Sequence, residues 1–327
     1  MSASKRVEYI DVMKGIGMLL VVLGHAINSG DVALCKVLWS FHMPLFFFCG
    51  GLVTRDTGRM SFSRFCLKKT QTLLVPHLTL AISLSLIEAA MMILENGSVK
   101  DVIPEILTYF SYWFLPAYFG IEVVKYVQIR LIKSENGKIW ALLVECLAFL
   151  LCSYNEVYIA QQILAGLTFL DLGEFFRPWL DRVYTGRGHG KIAGVLVWCG
   201  SVILLCVAGS LAAFNQPILM NVNQYGNKLL FLIGALMGIF SMAGFSIVLA
   251  DCGILNYIGR NTIIVYVTHF PLYRVLKWLA IRMVPGIKFS GFPVYWILFF
   301  VAMGLEIVII WVSNRYVPFL FGKKYRK

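Results

Sequence analysis

The stretch Ile10 to Asn28, IDVMKGIGMLLVVLGHAIN, places Asp11, Lys14 and His25 in an otherwise apolar run long enough to cross a bilayer. Ionisable groups at such depth are costly and are usually kept for function. At ~100° per residue, positions eleven apart differ by only about 20° around a helix, so Lys14 and His25 share a face, separated by roughly 16 Å of rise. Gly17 and Gly24, seven apart, form a strip roughly 60–80° from that face, where another helix can pack closely. The stretch reads as a buried membrane helix with a cation low on one face and an imidazole high on it.

Working outward, apolar runs of about 18–22 residues recur along the chain, each long enough for a hydrocarbon core of ~30 Å. With 327 residues, 59% of them hydrophobic and only 14% charged, the chain is too apolar for a soluble protein and too long for an anchor. The expected fold is all-α: a polytopic membrane helix bundle of about ten transmembrane helices, in a single domain over residues 1–327. The start, MSASKRVEYIDVMKG, lacks a small-residue cleavage site, so the first helix is expected to stay. Eight cysteines form no CxxC pair, which argues for packing roles rather than metal or disulfides. The net charge of +12 would suggest nucleic acid in a soluble protein, but here topology accounts for it and no nucleic-acid partner is expected.

The spans are expected at 10–28, 36–54, 70–93, 106–130, 139–154, 157–176, 192–213, 229–250, 262–280 and 294–313. One set of flanking segments holds twenty of the 29 Lys and Arg residues, the opposite set holds five (Lys36, Lys100, Lys228, Arg282, Lys288), and four lie within spans. The positive-inside rule then puts both termini in the cytoplasm, Lys14 toward the inner side and His25 toward the outer.

That direction orders the remaining candidates. Phe41-His42-Met43-Pro44 opens the second span at a depth similar to His25, so two histidines are expected around one outer cavity. The connection TRDTGRMSFSRFCLKKTQT carries Arg64, Lys68 and Lys69 among its cations; it serves either topology or the phosphates of an anionic donor. Tyr112-Trp113-Phe114-Leu115-Pro116 suits an outer aromatic belt. Glu122, deeper in that span, must be neutralised, paired or wet, with Lys14 or a histidine among its candidate partners. The polar loop FNQPILMNVNQYGNK, at 214 to 228, is either a carbohydrate contact or an ordinary solvated connection. Asn261 fits an N-cap for the ninth span, where Tyr266 and His269 are adjacent on one face.

The ordered blocks KGIGMLLVVLGH, FHMPLFFFCGG, KKTQTLLVP, WFLPAYF and GRNTIIVYVTH resemble the integral-membrane acyltransferase 3 family, especially its fucose 4-O-acetyltransferase-like branch, from residue 6 to about 280. The resemblance implies a bacterial inner-membrane O-acyltransferase that moves an acyl group from cytoplasmic acetyl-coenzyme A to a hydroxyl of a cell-envelope sugar. Acetyl-coenzyme A is then a substrate, and no tightly bound cofactor or metal is implied. It makes His25 the catalytic histidine and Lys14 a basic residue of the family pattern; His42 matches the FHMP histidine. Arg64, Lys68 and Lys69 fall to the donor side, and Trp113, Asn261, Tyr266 and His269 to substrate binding or structure. The family's third helix begins with an RxxR-type pair, whereas here Lys69 is followed by Gln71 and Thr72, so the second cation is missing and Arg64 or Lys68 is its expected substitute.

On this reading neutral His25 acts as general base on the sugar hydroxyl, with its direct acylation as the alternative chemistry. Glu122 orients or tunes His25 if the two meet, which makes it the second catalytic candidate. A transporter or flippase of a glycan or lipid-linked anion is the rival class. The inverted repeats and paired broken helices that mark many transporters are not visible in the sequence.

Overall fold

A computed structural model describes residues 7–27, 33–54, 60–95, 97, 112–151, 158–186, 191–287, 289 and 293–324. In chain order the elements are α1 (Glu8–Ile27), α2 (Ala33–Leu52), α3 (Phe62–Lys69), a π-helical turn (Thr70–Leu74), α4 (Val75–Leu94), α5 (Phe114–Leu131) and α6 (Glu135–Leu151). There follow α7 (Tyr158–Gly186), α8 (Lys191–Phe214), α9 (Lys228–Val248), α10 (Gly253–Gly259), α11 (Thr262–Met283), α12 (Val294–Tyr316) and a final 3-10 turn (Pro318–Phe321). The described residues contain no β-strand beyond an isolated bridge between Leu219 and Gln224. The residues 106–111 of the expected fourth span lie outside the described residues, as do Lys5, Arg6, Arg55, Arg59, Lys100, Arg187, Lys288, Arg326 and Lys327 of the charge pattern.

Among the described residues, six helical segments are long and apolar enough to cross a membrane: Glu8–Ile27, Ala33–Leu52, Phe62–Leu94, Ile192–Phe214, Lys228–Val248 and Val294–Tyr316. The chain is a multi-pass membrane protein. Helices α5, α6, α7 and α11 occupy the other four expected positions, at 17 to 29 residues each. Charged residues such as Glu122 and Lys125 in α5 and Arg274 and Lys277 in α11 lower their mean hydropathy.

The chain forms two compact units. The first comprises Met1–Gly24, Ser29–Asp56 and Ile132–Thr262; the second comprises His25–Asn28, Thr57–Leu131 and Ile263–Lys327. Lipid tails are as apolar as leucine, so helices in a bilayer associate by van der Waals fit and small residues, not by escape from water. The first unit is built that way. A methyl group on Gly51 of α2 would collide with the Leu170 carbonyl of α7, and one on Gly173 would collide with the Phe48 carbonyl. Gly15 and Gly259 do the same for α1 and α10, against Leu255 and Asp11. The expected strip on α1 also packs: Gly17 faces Leu45 and Gly24 faces Trp39. Phe41, Phe47, Phe48, Phe169 and Phe231 fill the interior without exposure.

Two elements run further than the sequence suggests. Helix α7 continues past the expected end at 176, through Pro178, to Gly186, because Asp181 accepts a hydrogen bond from Tyr9 Oη (2.9 Å) and Tyr184 packs on the same ring (5.1 Å). In the second unit the basic connection is helical from Phe62, with Phe65 buried against Tyr126 (4.5 Å). The π turn at 70–74 precedes Pro76, whose ring nitrogen cannot donate to a carbonyl one turn back, and the widened turn absorbs that loss. The final 3-10 turn seals this region: Thr79 Oγ1 lies 3.0 Å from the Leu320 carbonyl, and Gly322 (φ 65°) sits against the backbone of Gln71.

Candidate functional site

The second unit begins with the last turn of α1, which presents His25 where the helix dipole favours a cationic side chain. Its imidazole lies 4.3 Å from the Phe270 ring and 5.3 Å from the His269 ring, both on α11. Tyr112 stacks on Phe270 at 5.5 Å, and Phe114 reaches Tyr266 at 5.4 Å. Tyr266 and His269 are 6.0 Å apart, as their three-residue spacing requires, while Trp113 meets Phe114 edge-on at 5.8 Å. Four of the expected residues, His25, Trp113, Tyr266 and His269, thus meet in one aromatic cluster within one unit.

His269 is fully buried, and its Nδ1 donates to the Val265 carbonyl at 2.8 Å. A carbonyl only accepts, so the neutral ring carries its proton on Nδ1 and its lone pair on Nε2. Among the described residues, no hydrogen-bond donor reaches Nε2. An unsatisfied buried acceptor costs ~1–3 kcal/mol, so its retention needs a reason.

The residue before His269, Thr268, meets a carboxyl that the sequence analysis did not single out. Glu306 of α12 is completely buried, and its two oxygens are 2.8 and 2.9 Å from Thr268 Oγ1. That hydroxyl is also 2.9 Å from the Ile264 carbonyl and has one proton to donate, so it serves one acceptor at a time. The signal was available: Glu306 interrupts VYWILFFVAMGLEIVIIWV as plainly as His25 interrupts its own helix. Glu88 was missed in the same way. It is buried on α4 with Arg274 of α11 at 3.0 Å, and Glu95 accepts from Trp278 Nε1 (2.8 Å) one turn higher, near Arg282 (3.5 Å).

The donor-side candidates fall elsewhere in the second unit. Glu122 forms an ion pair with Lys69, and Lys69 also sits 5.7 Å from the Phe65 ring. The partner that sequence could not choose for Glu122 is therefore a cation of α3. Arg64 and Lys68, four apart on the same helix, are exposed. The neighbouring π turn carries Thr72 Oγ1 within 3.0 Å of the Lys68 carbonyl.

The first unit holds the remaining candidates. Asp11 is buried, with Lys14 Nζ at 2.8 Å and Arg260 Nε at 3.2 Å, so two cations pair with one buried acid. The tight crossing of Gly15 and Gly259 brings Arg260 there. His42 donates from Nδ1 to the Leu38 carbonyl at 2.8 Å on its own helix. Asn261, expected as an N-cap, donates to the Tyr257 carbonyl at 2.7 Å and so ties itself to the end of α10. In the polar loop, Asn215 Oδ1 accepts from the backbone of Gln216 (2.9 Å) and Asn227 (2.8 Å), and Gln162 Nε2 donates to the Met220 and Asn221 carbonyls. Those amides are engaged in holding the turn.

No curated protein and no solved structure matches the chain. A family model described as an acyltransferase domain matches residues 7–311 and takes in every block from KGIGMLLVVLGH to GRNTIIVYVTH. The chain therefore belongs to the acyltransferase 3 family and is a membrane acyltransferase.

Proposed function

We propose that the protein is an O-acetyltransferase of the fucose 4-O-acetyltransferase-like type, acting in a bacterial inner membrane on a sugar hydroxyl of the cell envelope with acetyl-coenzyme A as donor. The observation that carries the reading is the imidazole of His25 at the end of a membrane helix, set among Phe270, His269, Tyr266 and Tyr112 in a family of acyltransferases.

Neutral His25 takes the proton of the acceptor hydroxyl as its oxygen attacks the thioester carbonyl carbon. Collapse of the tetrahedral intermediate breaks the C–S bond, and the coenzyme A thiolate leaves with the proton that His25 returns. Base catalysis of this kind contributes about 10²–10⁴ in rate. The aromatic faces of Trp113 and Tyr266 suit the apolar face of a pyranose ring, while Arg64, Lys68 and Lys69 suit donor phosphates. Glu122 then acts on Lys69, holding its ammonium in place, a role different from direct service to His25. In the first unit, Lys14 and Arg260 add positive charge around Asp11; His42 is proposed on the acceptor side, and Asn261, next to Arg260 and bonded to the Tyr257 carbonyl, in a structural role.

Membranes containing the protein, supplied with labelled acetyl-coenzyme A and an envelope glycan, test the reading. Label should appear as an ester on the glycan and fall at least about 10²-fold with His25→Ala. Transfer undiminished by that substitution would sink the mechanism; movement of intact glycan without esterification would instead mark a flippase.

A further inference from the structure

Three observations converge on His269. Its Nδ1 proton is committed to the Val265 carbonyl, its Nε2 lone pair is buried and meets no described donor, and its ring centre is 5.3 Å from that of His25 with the planes 35° apart. An N–H···N bond of ~2.9 Å between two imidazoles, each nitrogen about 1.2 Å from its ring centre, sets the centres roughly 5 Å apart. The two rings stand at a separation that such a bond spans, and forming it calls for a turn of the His25 ring rather than a large approach of the two rings.

From this we infer that His269 is the positioning residue of the reaction: its Nε2 accepts the one N–H of neutral His25, fixing the tautomer and aim of the base. The inference rests on the reading of His25 as general base. In neutral His25 one nitrogen carries a proton and the other a lone pair. With the proton held by His269 Nε2, the lone pair faces the acceptor hydroxyl. When His25 takes that proton it becomes an imidazolium, and the N–H···N bond becomes charge-assisted and stronger. His269 neither gains nor loses a proton. The logic is that of an orienting group behind a catalytic histidine, filled by an imidazole in place of a carboxylate. The backbone carbonyl of Val265 in turn fixes His269, because a ring that donates from Nδ1 cannot also donate from Nε2 while neutral.

Two amide substitutions separate this role from a structural one. Asparagine places an amide nitrogen near the Nδ1 position, so His269→Asn keeps a donor for Val265 and loses the acceptor. Glutamine reaches the Nε2 position, so His269→Gln offers an oxygen acceptor toward His25. With labelled acetyl-coenzyme A and the glycan acceptor, His269→Asn should lower kcat at least about tenfold with little change in KM for either substrate, and His269→Gln should recover part of the loss. In a His25→Ala background, His269→Asn should cost nothing further, because a residue acting through another has nothing left to act on. Thermal unfolding in detergent confirms that each variant is folded. An Asn variant at least as active as the Gln variant, a loss confined to KM, or losses that add in the double variant would overturn the inference while leaving His25 as base. Full activity in His25→Ala would overturn both.

Discussion

The two units of the chain place charge and small residues very differently. In the first, backbones meet at Gly51 and Gly173 and at Gly15 and Gly259, and its buried Asp11 is matched by Lys14 and Arg260. In the second, polar ties join the helices: Arg274 with Glu88, Lys69 with Glu122, Thr268 with Glu306 and Tyr126 Oη with the Met60 carbonyl (2.7 Å). Among the described residues, the fully buried imidazole that keeps a lone pair without a donor, His269, lies there. The contrast separates a unit framed by tight glycine crossings from one whose helices are tied by polar groups, and on the proposed reading the chemistry belongs to the second.

The largest test of that contrast is His25→Ala, which should cut ester formation by at least about 10²-fold while leaving thermal unfolding in detergent near that of the parent. Stability lost in step with activity would mean that the second unit is a frame as well. Gly51→Leu should do the opposite in kind. The added side chain must displace the Leu170 backbone, so thermal unfolding should move down by the equivalent of about 1–3 kcal/mol or more, with yield of folded protein falling accordingly. An unchanged midpoint would show that α2 and α7 are not locked by that crossing.

A smaller effect is expected from Asp11→Asn, which leaves Lys14 and Arg260 facing each other without their acid. Both cations are partly exposed, so the cost is about 1–2 kcal/mol, well below that of breaking a fully buried pair. Restoring stability with a second change, Lys14→Met, would confirm that charge balance rather than shape was lost. Smallest is Glu122→Gln. Its pair with Lys69 is partly solvated and worth ~1 kcal/mol at most. The expected result is a change of a few fold in KM for acetyl-coenzyme A with kcat nearly intact. A drop in kcat of about 10²-fold would return Glu122 to the catalytic role that sequence suggested.

Much of this was readable from composition and spacing. Hydropathy and run length are sums over local residues, so they marked the membrane helices well, and the same rule exposed His25, Lys14 and Glu122. Glu306 and Glu88, each within an apolar run, carry the same signal. Helix ends were less legible. The sixth span was expected to end at 176, but the helix runs on through Pro178 because packing of Asp181 and Tyr184 on Tyr9 outweighs the lost backbone bond. The third span was expected to begin at 70, but the basic connection before it is already helical from Phe62, where buried Phe65 is supported by Tyr126.

The sequence by itself determined that this is a many-helix membrane protein with ionisable groups at depth, and its ordered blocks pointed to an acyltransferase. Which groups meet was decided only in the tertiary structure. His25 finds His269 across 244 positions of chain, Glu122 finds Lys69, and Arg260 finds Asp11, because helix crossings select partners and crossings depend on the fit of whole surfaces. A period of 3.6 residues tells which side chains share a face; it holds no record of what that face will touch.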